Sequence, residues 1–147
     1  MLKIVLAFVV TLSAGLVKAQ TCATNTDQLR DLVAHADVPL RWVETSERNS
    51  NRVLSMTITN GAAGPIVRLT LPDGRLWANL SGQICQAGSD RRLVMQVNKR
   101  ASAFGPGAPG LVRTFGGVPN TVSLNLSADF STLQVRASSY RGSFRPH

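Results

Sequence analysis

From Leu54 onward the apolar residues recur at every second position, and this period of two restricts the chain to strands that are apolar on one face only. Leu54, Met56 and Ile58 alternate with Ser55, Thr57 and Thr59; Val67, Leu69 and Leu71 with Arg68 and Thr70; Leu76, Ala78 and Leu80 with Arg75, Trp77 and Asn79. The pattern resumes with Leu93, Met95 and Val97 against Arg92, Val94 and Gln96. It continues through Leu111 to Phe115, then Val122, Leu124 and Leu126, then Leu133, Val135 and Ala137. Turn-forming residues separate the runs, most clearly Pro72-Asp73-Gly74, so neighbouring strands should pair antiparallel.

Ahead of the strands the period is helical. Thr24 to Ala36 places Leu29, Leu32, Val33 and Ala36 on one stripe, with Thr26 as the expected cap and Asp27 in the first turn. Pro39 ends that helix, and Leu40, Trp42 and Val43 form a brief extended segment that carries Trp42 toward the core. The expected fold is therefore mainly β with one N-terminal helix, an α+β arrangement. Its curved antiparallel sheet has about seven strands, forms a meander or a partly closed barrel, and packs on the helix.

The ends suggest processing. Met1-Leu2-Lys3, an apolar stretch from Ile4 to Val17, and Lys18-Ala19 have the layout of a secretory signal peptide over residues 1–19, with cleavage expected after Ala19. The apolar stretch is shorter than the roughly 20 residues that span a bilayer, and no later run approaches that length, so no transmembrane segment is expected after cleavage. Residues 20–137 should then form a single β-rich domain, followed by a basic tail at 138–147 that looks disordered. The polar stretch 44–51 and the Gly/Pro/Ala-rich stretch 101–110 read as surface loops, the second of them mobile.

Cys22 and Cys85 are an even pair without a C-x-x-C spacing, which predicts a structural disulfide in an oxidising, periplasmic or secreted setting. A loop of that length removes on the order of 4 kcal/mol of unfolded-state entropy.

The formal net charge is +8. Without Lys3 and Lys18 there remain 14 basic against 8 acidic residues, a net of +6, and Lys99 is the one lysine left. Arginine presents a planar, permanently charged fork suited to phosphate and carboxylate. Strand parity points Arg68, Arg75, Arg92 and Arg136 away from the apolar face, with Trp77 beside Arg75, which makes these five the expected ligand- or partner-binding residues. Such a surface suits phosphate-bearing lipid head groups, acidic polysaccharide or an acidic protein patch. Nucleic acid matches the charge but neither the compartment nor the need for several stacking aromatics, and is not expected as a partner.

Little in the sequence points to chemistry. His35 lies beside Asp37 and His147 stands in the tail; the carboxylates Asp27, Asp31, Asp37, Glu44, Glu47, Asp73, Asp90 and Asp129 are scattered. No set of residues has metal-ligand spacing, and no nucleophile-elbow or phosphate-loop motif is present, so neither an enzyme nor a cofactor or metal is expected. The apolar concave face of a curved sheet would offer a pocket if the side chains leave it unfilled. The expectation is an exported non-enzymatic binding protein for an apolar or anionic amphiphilic ligand such as a lipid. The alternative is a protein-interaction module, an inhibitor or envelope-assembly factor, that uses the arginine and tryptophan surface.

Overall fold

The alternating runs become strands that close on themselves. A computed structural model of the chain describes residues 20–46, 53–88, 91–108 and 117–147. The expected signal segment at 1–19 and the expected strand at 111–115 lie outside the described residues. In chain order the elements are β1 (Cys22–Ala23), α1 (Thr26–Leu32), β2 (Arg41–Glu44), β3 (Ser55–Gly61), β4 (Gly64–Thr70), β5 (Leu76–Gln86), β6 (Arg92–Val97), β7 (Ala103–Phe104), β8 (Thr121–Leu126), β9 (Leu133–Ala137) and β10 (Tyr140–Pro146). Every pairing is antiparallel. The path β2-β3-β4-β5-β6-β8-β9-β10 returns to β2, which makes an eight-stranded closed barrel with β1 and β7 as additions on β5. The expected mostly antiparallel β fold with one helix is what the described residues form, and it is a closed version of the barrel.

β5 is the longest strand because it serves four neighbours. Its first half pairs with β4 and β7, its second half with β6 and β1. Gly82 marks the changeover, since a Cβ there would collide with the backbone carbonyl of Gln96 on β6. Where β6 and β7 leave a gap along β5, Ser102 substitutes for a strand: the Ser81 N–H donates to Ser102 Oγ at 2.8 Å, and that hydroxyl donates to the Ser81 carbonyl at 3.3 Å. The stretch 101–110 was expected to be a mobile loop. Within its described part, Ser102 and Ala108 are buried and Ala103–Phe104 form β7.

The disulfide is a cross-strand staple. Cys22 and Cys85 face each other in register on β1 and β5, and their sulfurs are bonded. It holds α1 close to the barrel, because only Thr24 and Asn25 separate β1 from the helix. Asn25 is the cap, accepting from the Gln28 N–H at 2.9 Å, and Gln28 Oε1 in turn accepts from the Thr24 N–H and hydroxyl at 2.9 and 2.7 Å. Thr26, expected as the cap, is the first helical residue, and its N–H donates instead to Asn60 at the end of β3, 2.8 Å away. The helix stops at Leu32 rather than Ala36, because the chain reverses through Ala34 at φ 53 and brings Val38 back into the core.

An eight-stranded barrel is just wide enough for side chains to fill. Leu29, Val33 and Val38 plug one end against Trp42, Ile58, Leu93, Leu124 and Leu133. Trp77, Phe104 and Tyr140 fill the other with Val67, Val122 and Val135. Among the described residues, the voids within these two clusters are about 10 and about 20 Å³, room for a water molecule at most.

Within the segment expected as a disordered tail at 138–147, Tyr140–Pro146 form β10, the strand that completes the ring. Tyr140, Gly142 and Phe144 point inward and Arg141, Ser143 and Arg145 outward, and β10 pairs with β9 on one side and β2 on the other. Glu44, expected in the polar loop, ends β2 and turns its side chain into the barrel, 5 % exposed. Its carboxyl group accepts from the Tyr140 hydroxyl at 2.8 Å and from the Leu54 N–H at 3.2 Å. Gly142 makes this reach possible, because a Cβ there would strike the Tyr140 ring and hydroxyl. Tyr140→Phe removes a donor from a buried carboxyl group and is expected to cost about 1–3 kcal/mol, read as a lower urea midpoint at unchanged slope. An unchanged midpoint would show that this hydrogen bond adds nothing to closure.

The β8–β9 turn carries a second local constraint. Asp129 accepts from the hydroxyls of Ser127 and Ser131 and from the Ser131 N–H, which lowers its carboxyl from 3.8 to about 2. Because the folded value lies below the unfolded one, the turn gains its support from Asp129 above about pH 4 and loses it as pH falls through about 2. A carboxyl-carbon NMR titration should place Asp129 near pH 2. Ser127→Ala should move that midpoint upward.

Candidate functional site

The residues expected to bind do not come together as one patch. Arg68, Arg75, Arg92 and Arg136 are exposed, as their strand parity required. They sit on β4, the β4–β5 turn, β6 and β9, which are spread around the ring. Arg75 is occupied within its own turn: its Nε lies 2.6 Å from Asp73 Oδ2 and its N–H donates to Asp73 Oδ1 at 3.0 Å. These two contacts hold the Asp73 carboxyl below its usual value.

Trp77 is not on the outer surface. It is 2 % exposed and packs edge-on against Phe104 and tilted against Tyr140, with ring centroids 5.9 and 5.5 Å away. The cause is a bulge. Leu69 pairs with Ala78 and Thr70 with Leu76, so Trp77 is the extra residue between them. One inserted position reverses the side-chain parity of the strand before it, and Trp77 is buried instead of exposed.

The arginines that do collect lie on four of five consecutive strands, on β9, β10, β2 and β4, with β3 between the last two. At their outward positions stand Arg136, Arg141, Arg145, Arg41 and Arg68, all exposed. The acidic residue among these strands is Glu44, which points inward. The five arginines form no ion pair with any described carboxylate, since the described pairs are Arg30 with Asp27 and Arg75 with Asp73. Arg136 and Arg141 are direct cross-strand partners, a placement of like charges that costs stability on its own. A groove of about 200 Å³ beside them is lined by Ser46, Gln134 and Ser143 as well as the two arginines. Another of about 220 Å³ lies along Arg41, Ser55, Thr57 and His147. Arg41 and Arg68 both stand level with Thr57, one strand to either side.

Of these five, parity reasoning identified Arg68 and Arg136. Arg141 and Arg145 were signalled by the alternation in Tyr140-Arg141-Gly142-Ser143-Phe144-Arg145, and Arg41 by its place before the inward Trp42. These signals lie in segments that read as a tail and as a brief extended segment.

Elsewhere the chemistry is sparse. Among the described residues no three His, Cys, Asp or Glu side chains gather as metal ligands would. His35 packs on the ring of Phe130, centroids 4.3 Å apart, and Arg91 lies over the same ring at 5.3 Å. An open cleft of about 430 Å³ beside the disulfide is lined by Thr21, Cys22, Gln28, Asp31, Leu32 and Gln86, with one carboxylate and no base to accompany it. No described helix is long and apolar enough to cross a membrane. Comparison of the chain with protein-family models, with curated proteins and with solved structures gives no match in any of the three.

Both Trp42 and Trp77 are buried, at 1 % and 2 % exposure. The folded protein should therefore show blue-shifted tryptophan emission that iodide quenches weakly, with full quenching on unfolding. Strong quenching of the native state, removed by Trp77→Phe, would return Trp77 to the surface.

Proposed function

We propose that the protein is exported and serves as a non-enzymatic binding protein, taking an anionic component of the cell envelope or its surroundings on the outer arginine face. The observation that carries this reading is the outward side of five consecutive strands, with five arginines and no described carboxylate to neutralise them. An arrangement selected for solubility would mix both signs, whereas a surface of one sign concentrates anions and presents forked donors to them. The leader-like residues 1–19 and the formed disulfide support an oxidising, periplasmic or secreted location.

The filled interior bears on the kind of ligand. The voids of about 10 and about 20 Å³ between the described core side chains are too small for an acyl chain, which favours an amphiphile held from outside by its charged group. The interaction-module reading used a surface of arginines with Trp77, and the burial of that ring leaves it resting on the arginines.

The test is binding of the mature protein to immobilised anionic and neutral surfaces, namely phosphatidylglycerol against phosphatidylcholine vesicles, and polygalacturonate against dextran. Anionic surfaces should bind, weaken with added salt, and lose at least about tenfold in affinity with Arg136→Glu/Arg141→Glu while the circular dichroism spectrum is unchanged. Equal binding to neutral surfaces, or full retention by the charge-reversed protein, would sink the proposal.

A further inference from the structure

The five arginines cannot all be met by a flat surface. From Arg136 on β9 to Arg68 on β4 there are four strand steps in a ring of eight, which is half the circumference. The register places them as a descending stripe. Arg136 and Arg141 are level; Arg145 lies four residues further along β10; it is level with Val43, two residues from Arg41; and Arg68 is level with Arg41 across Thr57. With strands about 4.8 Å apart and about 3.3 Å per residue, the stripe runs diagonally for roughly 28 Å on the unrolled sheet. A bilayer touching one side of the barrel would leave one end of it unused. A single head group would reach Arg136 and Arg141 alone.

A flexible chain carrying repeated negative charges can follow the curve. Apart from Val43, polar side chains occupy the outward positions between the arginines: Gln134 and Ser143 near the first pair, Thr45 and Ser55 along the middle, and Thr57 between the last two. Both outer grooves lie on this path. Hydroxyl and amide groups so placed complement sugar hydroxyls. No aromatic side chain occupies an outward position on these five strands, so a nucleic acid would find no platform on which to stack its bases. We propose that the stripe is a track for a linear acidic polysaccharide, whose successive carboxylates or sulfates engage the arginines in turn. This rests on the anion-binding reading of the same face and adds the polymeric nature of the ligand.

Multivalent contact of this kind makes affinity depend on ligand length. Titration of the mature protein with galacturonate, with oligogalacturonates of increasing length and with polygalacturonate should show affinity rising at least about tenfold from the dimer before levelling off as the stripe is covered. Arg136→Ala/Arg141→Ala and Arg41→Ala/Arg68→Ala, at opposite ends, should each lower affinity for the long oligomers and bring the plateau to shorter lengths. These substitutions are at exposed positions, and circular dichroism checks that each variant is folded. Length-independent affinity, phosphatidylglycerol vesicles that bind as tightly as the polymer, or tighter binding of a single-stranded oligonucleotide of equal charge would overturn the track. In those cases anion binding itself stands. Absence of binding to every anionic probe removes both readings together.

Discussion

Closure of β10 onto β2 is the contact on which the rest of the structure depends. The seam is short, three register pairs from Phe144–Glu44 to Pro146–Trp42. It is reinforced inside by the Tyr140 hydroxyl donating to Glu44. Without it the barrel becomes an open sheet with two unpaired edges, and Trp42, Phe144 and Leu54 lose the enclosure that keeps them dry. The same seam makes the outer surface continuous. Arg41 comes from the first barrel strand and Arg141 and Arg145 from the last, so the two halves of the basic stripe meet only because the ring is shut.

The wall that carries the stripe is held from both ends of the barrel. One end is plugged by α1, whose position is set by the β1–β5 disulfide and by the Thr26 N–H donating to Asn60. The other is filled by Trp77, Phe104 and Tyr140. With the interior packed, strand register alone fixes the spacing of the arginines, and a surface built on rigid strands needs less ordering on binding than one built on loops.

Much of this was legible because period two is an unambiguous signal. Met56, Val67, Leu93, Met95, Leu124 and Val135 are inward as their alternation requires, and the pairing of Cys22 with Cys85 followed from there being two cysteines. The failures have local causes. Trp77 was misplaced because a bulge adds one residue to β5, and nothing in Leu76-Trp77-Ala78 announces it. The β9–β10 hairpin was missed because its turn, Ser138-Ser139, contains no glycine or asparagine although Ser138 adopts φ 53. Glu44 reads as a loop residue in sequence because a carboxylate is seldom buried, and its partner Tyr140 is 96 residues away. The stripe was only partly visible, since arginines on distant strands become neighbours through topology and not through spacing in the chain.

The order of the strands also has a kinetic side. β2 is the first strand of the ring in chain order and β10 the last, so the seam joins partners about a hundred residues apart. Pairings of that range contribute heavily to a slow search, because the intervening chain must be ordered before they form. Until β10 arrives, β2 presents a bare edge with an indole beside it, the kind of surface that invites pairing with another copy. The Cys22–Cys85 bridge shortens this search only slightly: the path from Trp42 to Pro146 through it is about 80 residues instead of about 100, and closure entropy grows only with the logarithm of that length. The sealing step is thus left to the backbone ladder and to one tyrosine.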